Sequence, residues 1–403
     1  MKSTKALSYF YLIAAIVILI ATYVVAEVIF RISRYNQIIS SFDPAAATFT
    51  TTDGPLYTLD LDAGYSYVPN AQVTLRFYDI DNEVVRENKV SVNSQGHISP
   101  RDDLMEMSDA EFRIACLGDS FTATTTTERP WPSQVEDLLN QDEEIKRLTG
   151  KTSFKVVNLG LDGTGIDQWP AVFEHKAKPL KPDLVIINIF WNDIYRRFLY
   201  RDTIKIPSKT ADFFILVTSS SLPTSLENKD CRFASQIIVD SKTATDKVKL
   251  AAINREIHTQ RVRALPWKSL YPELLNRVLT GKNRFKMSEG NTPMFTDDQQ
   301  AVSNSLVKLR EIVAQHPRVL ILAHPSVEEC KERKAYDCVH QLINAGPDLN
   351  IQDMVQFLPL EGASSVEIDR WFNLPHDAHP SSYGCEVYSK AVLERIRKML
   401  KQN

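Results

Sequence analysis

The sequence predicts an α/β fold, a three-layer doubly wound parallel sheet, and two observations carry that expectation. From Glu111 onward, short runs of β-branched and aliphatic residues alternate with longer amphipathic stretches. The runs are apolar throughout rather than at every second residue, as strands are when helices cover both faces of the sheet. The candidate strands are FRIACL at 112–117, FKVVN at 154–158, DLVIINIF at 183–190, RVLILA at 318–323 and MVQFL at 354–358. Helical spacing of apolar residues appears near 132–148, 166–179 and 298–315, and again from 382 to 402.

Composition bounds the class. The chain has 403 residues, 43% hydrophobic and 24% charged, with 13 Gly and 20 Pro, which sets disordered and fibrous classes aside. That length suits one α/β domain of about 250 residues with an N-terminal addition and an insertion. With a net charge of −3 and its Lys and Arg spread along the chain, the protein has no field that would gather nucleic acid, and no such partner is expected. Cys116, Cys231, Cys330, Cys338 and Cys385 form no CxxC pair and have no zinc-type His spacing, so no metal site is indicated. Cys330 and Cys338 are near enough in sequence to pair in an oxidising compartment, though nothing forces it.

Ahead of the sheet, Ala6 to Ala26 contains no charged residue. At about 1.5 Å per residue this helix-length run crosses about 30 Å of hydrocarbon. Residues 1–35 are therefore expected to form a single-pass membrane anchor, with the main domain outside the cytoplasm. A cleaved signal peptide is the alternative, with Val24-Val25-Ala26 as its cleavage site, but such peptides have apolar regions of only about 7–15 residues. Lys2 and Lys5 are balanced by Arg31 and Arg34, which weakens any orientation argument from charge. In the segment 36–110, Ser40 to Gly54 reads as a linker, and 56–100 alternates polar and apolar residues as a small β-rich addition. The main domain, 111–403, is interrupted at about 198–297, far more chain than a crossover needs. That stretch contains FFILV at 213–217 and the helical IHTQRVRALPWKSLYPELLNRVL, and reads as a cap beside a functional site.

In open parallel sheets, functional groups gather at the carboxyl ends of the strands. After the first strand stands Gly118-Asp119-Ser120-Phe121-Thr122, which places a Ser where strand turns to helix. After the second comes Asn158-Leu159-Gly160-Leu161-Asp162-Gly163-Thr164-Gly165, whose glycines let a backbone N–H approach a ligand. That loop superficially resembles a phosphate-binding turn, but it lacks a Lys-Ser/Thr and does not match GxGxxG. After the third comes Phe190-Trp191-Asn192-Asp193, where the Asn either caps a helix or aims its amide at a developing oxyanion. Just before the last helix, His376-Asp377-Ala378-His379-Pro380 sets an Asp two residues before a His, close enough to hold the ring Nδ1–H. None of the other His has this setting.

Together these residues resemble the SGNH (GDSL-like) hydrolase family, whose four blocks supply Ser, Gly, Asn and His in this order. GDSFT carries Ser120, NLGLDG carries Gly163, FWND carries Asn192 and DAHP carries His379. The resemblance covers about residues 90–400, interrupted by the cap. VNSQG at 92–96 and AEVIFRIS at the end of the apolar run are similar to membrane-anchored bacterial members. The resemblance implies a flavodoxin-like sheet and a serine esterase that needs no cofactor. Ser120 would be the nucleophile, His379 its base and Asp377 the acid that orients it. Ser120, Gly163 and Asn192 would form the oxyanion hole, supported by Asp119, Asn158 and Asp193. Two departures stand out: Trp191 replaces a Gly that often precedes Asn-Asp, and His376 occupies the position three before His379 where many members carry the Asp. The implied substrate is an O-acetyl or short acyl ester on a cell-envelope glycan or lipid. An O-acyltransferase with the same residues, and a non-catalytic glycan-binding or assembly protein that keeps the fold, are the alternatives.

Overall fold

The computed structural model describes residues 2–40, 50–51, 54–78, 84–99, 108–206, 213–219, 234–239, 246, 248–249, 252–253, 274, 278, 294–374 and 377–402. In chain order its strands are β1 (Thr50–Thr51), β2 (Tyr57–Asp60), β3 (Gly64–Tyr67), β4 (Gln72–Tyr78), β5 (Val84–Ser91), β6 (Glu111–Gly118) and β7 (Ser153–Asn158). They continue as β8 (Leu184–Phe190), β9 (Tyr200–Ile206), β10 (Phe213–Ser219), β11 (Ala234–Val239), β12 (Val319–His324) and β13 (Gln352–Asp353).

The central sheet has the order β13-β12-β8-β6-β7, parallel throughout. In chain order this is the flavodoxin-like arrangement, with the direction of winding reversing between β6 and β8, the place where open sheets bind ligands. Alternate residues feed opposite layers. Phe112, Ile114 and Cys116 of β6 and Leu184 and Ile186 of β8 pack with Val135 and Leu139 of the helix Trp131–Gln141 and with Tyr388, Val392 and Ile396 of the helix Ser382–Gln402. Ala115, Leu117, Val185, Ile187 and Ile189 face the other way, toward Trp169, Phe173 and the Leu306, Leu309 and Ile312 side of the helix Asp298–Val313. Each fully buried aliphatic side chain contributes about 1.5–3 kcal/mol, which is why these runs carry no polar alternation.

Three elements differ from expectation. The stretch 132–148 is two helices, Trp131–Gln141 and Glu143–Thr149, because the Asp142 carboxylate accepts the Ile145 N–H at 3.0 Å and starts a new helix. The stretch 166–179 is a short α-helix, Trp169–Val172, that widens into a π turn at Phe173–Ala177 and closes as a 3₁₀ turn at Lys178–Leu180. Pro179 has no N–H with which to continue the regular ladder. Finally, MVQFL is not a strand. The fifth strand is the two-residue β13, after which Asp353 accepts the Val355 N–H at 3.1 Å and caps a 3₁₀ turn, Met354–Gln356. Met354 and Val355 are buried in that turn, and Phe357 and Leu358 follow it half-buried.

A second sheet, of order β5-β4-β1-β11-β10-β9, draws on three parts of the sequence. Thr50–Thr51, inside the stretch read as linker, pairs with β4 on one side and β11 on the other. FFILV falls in β10, where Ile215 is wholly buried. The β-rich addition and the insertion thus share one hydrogen-bonded sheet. The hairpin β2–β3 lies against β9, with the Leu59 N–H donating to Asp202 Oδ1 at 3.2 Å. The long helical stretch of the insertion lies outside the described residues except at Leu274 and Val278.

The first helix, Lys2–Ser40, contains a 25-residue run, Tyr9–Ser33, of mean hydropathy 2.7, only 6% of it buried, long and apolar enough to cross a membrane. Near its end Arg31 pairs with Glu27 at 2.7 Å, and Glu27 also accepts the Leu274 N–H at 2.7 Å. Cys116, Cys330, Cys338 and Cys385 are free thiols, so the Cys330–Cys338 pairing that the sequence permits is not formed.

Candidate active site

The strand ends on either side of the winding reversal supply the site. Asp119 follows β6 and is wholly buried; its Oδ1 accepts the Phe121 N–H at 2.8 Å and caps the single turn Ser120–Ala123. That turn holds the half-buried Ser120 at the sheet edge. From the far end of the chain, the loop before the helix Ser382–Gln402 brings His379 Nε2 to 2.8 Å from Ser120 Oγ. His379 Nδ1 lies 2.6 Å from Asp377 Oδ1, which also accepts the His379 backbone N–H at 3.1 Å. His379 is therefore tethered to a single carboxylate oxygen through both its ring and its backbone. His376 lies outside the described residues.

Burial alone would raise Asp377, but the His379 hydrogen bond and charge, with Arg86, hold its carboxyl down at about 2. Burial alone would lower His379, yet the Asp377 hydrogen bond and charge, with Asp119 and Asp162 farther off, outweigh it and leave the ring above its ordinary value. The pair is thus an anionic acid beneath a basic imidazole that faces a hydroxyl.

The Gly-rich turn after β7 is drawn onto the Ser120 turn. Asn158 Nδ2 donates to Ala123 O at 3.3 Å and its Oδ1 accepts the Gly160 N–H at 3.0 Å. A Cβ on Gly160 would stand 2.3 Å from Ala123 N, so no side chain fits. Gly163 has φ +82°, the left-handed region that favours glycine. Asn192 sits in the 3₁₀ turn Trp191–Ile194 after β8, and the next residue, Asp193, is wholly buried. Among the described residues, neither the Ser120 N–H, the Gly163 N–H nor the Asn192 side-chain amide donates to a protein acceptor. Trp191 fills space beside the site, its ring edge-on to Tyr336 at 5.5 Å.

Several contributors carried no signal of their own in the sequence. Arg196 Nη1 reaches Asp119 and Asp193 at 2.8 Å each and Thr164 O at 3.1 Å, joining the ends of three strands through one cation. Burial, with the neighbouring Asp119 next, pushes Asp193 well up. Arg86 on β5 pairs with Asp377 Oδ2 at 2.9 Å, so the second sheet touches the acid behind His379. Asp162 Oδ2 accepts from Tyr57 OH at 2.6 Å and from Thr125 Oγ1 at 3.1 Å. At the end of β12, His324 is buried and pushed down to about 4 by that burial; its ring lies 4.1 Å from Tyr388 and 5.1 Å from Phe121. It is a neutral packing group beneath the site.

Residues 114–220, which hold the first three strand ends, match the family model for the GDSL-like lipase/acylhydrolases. A comparison with curated proteins gives no match. Among solved structures, the chain is similar to the lipase/acylhydrolase from Enterococcus faecalis at 12% identity, over 72% of this chain and 96% of that one, with a TM-score of 0.35. It is also similar to a catalytic mutant of an acetylxylan esterase from Geobacillus stearothermophilus, at 12% identity over 72% and 96% of the two chains and a TM-score of 0.34. A third likeness is to a family two carbohydrate esterase from Clostridium thermocellum, at 10% identity over 88% and 89% and a TM-score of 0.33. The segment that matches the GDSL-like lipase/acylhydrolase model is thus the part of the chain that carries the first three strands of the parallel sheet and the turns that follow them.

Proposed function

We propose that the protein hydrolyses carboxylic esters through an acyl-enzyme on Ser120, with His379 as base and Asp377 as the acid that orients it. The observation that carries this reading is the continuous line from Ser120 Oγ to His379 Nε2, 2.8 Å, and from His379 Nδ1 to Asp377 Oδ1, 2.6 Å. His379 takes the Ser120 proton as Oγ attacks the ester carbonyl, and returns it to the departing alcohol; water then repeats the cycle to release the acid. Because Asp377 holds Nδ1–H, Nε2 is the free lone pair that faces the hydroxyl. The tetrahedral oxyanion accepts from the N–H groups of Ser120 and Gly163 and from the amide of Asn192, three donors without a protein acceptor among the described residues. Asp119, Asn158 and Asp193 hold the three turns in place.

A small acyl group on a hydroxylated, glycan-like alcohol is the substrate class we favour. Supporting it is an open cleft of about 280 Å³ that begins at Thr124 and Thr125, just beyond the Ser120 turn, where they and Arg129 face Asn88, Lys89 and Ser91 of β5. These polar side chains offer hydrogen bonds to hydroxyl groups, beside an apolar wall formed by Val90, Ile98 and Pro130. The first helix would anchor the chain in a membrane, with the enzyme on the outer side. Carbonate extraction should leave it in the membrane fraction, whereas a mature chain starting at Glu27 would mark a signal peptide.

A fluorophosphonate probe tests the chemistry. Wild type should be labelled on the peptide that contains Ser120, and Ser120→Ala should lose both labelling and hydrolysis of p-nitrophenyl acetate while melting at an unchanged temperature. Full activity in Ser120→Ala would end this reading.

A further inference from the structure

The oxyanion donor assigned above to Gly163 belongs to a peptide unit whose other end is held with unusual firmness. A trans peptide is planar, so the C=O of Asp162 and the N–H of Gly163 point in opposite directions. Asp162 O accepts from Tyr65 OH at 2.5 Å and from Arg201 Nη1 at 2.5 Å. On the other flank of the same residue, the Asp162 N–H donates to Tyr67 OH at 3.3 Å, and its carboxylate is held by Tyr57 and Thr125. The guanidinium is itself fixed, 4.7 Å from the Tyr65 ring centre and 5.3 Å from that of Tyr57. It lies so close to the turn that a Cβ on Gly163 would come within 2.8 Å of Arg201 Nη2. Apart from Thr125, which follows the Ser120 turn, none of these partners comes from the parallel-sheet region. Tyr57, Tyr65 and Tyr67 belong to the β2–β3 hairpin, and Arg201 to β9.

We infer that Arg201 and Tyr65 are positioning residues for the oxyanion hole: by anchoring the Asp162 carbonyl they fix the direction of the Gly163 N–H, and the Arg201 cation polarises that amide into a stronger donor. The inference rests on the acyl-enzyme reading of Ser120. A fixed dipole costs no reorganisation when the oxyanion forms, so the contribution belongs to the transition state rather than to substrate binding. A purely structural role would disturb binding, the His379 pair and rate together.

The test uses the full chain with p-nitrophenyl acetate and an arylboronic acid, which forms a tetrahedral adduct on a reactive Ser. Tyr65→Phe and Arg201→Met should each lower kcat by about 10-fold to 100-fold, somewhat less than direct loss of an oxyanion donor, with KM within about twofold. Arg201→Lys, which keeps the charge but not the fork, should fall between Arg201→Met and wild type. Boronate affinity should fall in step with kcat/KM, and the acid limb of the pH profile should stay in place. Should Arg201→Met fail to fold, Tyr65→Phe, which loses only a hydroxyl, carries the test alone. Wild-type kcat in folded Tyr65→Phe, or parallel losses in kcat and KM with a displaced acid limb, would overturn the inference. Ser120→Ala run alongside separates the two claims: if it stays active the acyl-enzyme reading fails, and if it is inactive while Tyr65→Phe behaves as wild type only the positioning role fails.

Discussion

The parallel sheet and the second sheet contribute to one site in different ways. The parallel sheet presents its groups on turns directly after strands: Ser120 after β6, Gly163 after β7 and Asn192 after β8. Each arrives with its own local motif, because the turn that displays it also needs particular neighbours, such as the Asp119 cap or the Asn158 clamp on Gly160. The second sheet offers single residues in ordinary strand settings. Arg86 and Arg201 reach the site only because β5 and β9 pass beside it. On the proposed mechanism, the first set touches the substrate and the second sets the electrostatics of the groups that do. The two sets should therefore fail differently when altered.

The largest effect that separates them is expected at Asp377. Asp377→Asn should lower kcat by about 10²-fold to 10⁴-fold with little change in KM, since the neutral side chain neither holds the correct tautomer nor stabilises the imidazolium. The sign of the pH effect follows from the same pair. Hydrolysis needs neutral His379, whose ring sits above its ordinary value largely through Asp377, so kcat/KM should rise through an inflection above about pH 6.5 in wild type. Removing the carboxylate lowers the ring's proton affinity and should move that inflection to lower pH. A retained kcat would mean that another group orients His379.

Arg86→Gln should lower the rate more gently and move the pH inflection in the opposite direction. Hydrogen bonds to charged groups are worth about 1.5–3 kcal/mol, and only the part that differs in the transition state reaches the rate, so a loss of about tenfold is expected. Without the Arg86 cation the Asp377 carboxylate is less stabilised, interacts more strongly with His379 and moves the acid inflection to higher pH. Steady-state rates across pH 5 to 9 would check both statements, and an unmoved inflection would confine Arg86 to holding the second sheet in place.

What the sequence made legible follows the same division. The first four strands of the parallel sheet, the Ser120 and Asn192 turns and the Asp377–His379 spacing could be read because each is local: cap, turn and partner lie within a few residues. MVQFL was misleading because an apolar run in and just after a 3₁₀ turn has the composition of a strand, and only the Asp353 cap distinguishes it. The separation of 291 residues between Arg86 and Asp377 leaves no periodicity to read. Likewise the strands at 72–91 and 200–239 looked like two additions, since pairing across an intervening parallel sheet is written in neither segment. An Arg in a strand is ordinarily a solvated side chain, and nothing near Arg201 in the sequence marks the Asp162 carbonyl it will meet.

The central claim is the covalent step on Ser120, and an acid-quenched reaction with p-nitrophenyl acetate tests it most directly. Intact-mass measurement within the first turnovers should find the chain heavier by one acetyl group, mapped by proteolysis to the peptide carrying Ser120, with the adduct decaying as water releases acetate. Turnover with no adduct on any quench time, or an acetyl group mapped to another residue, would contradict the account.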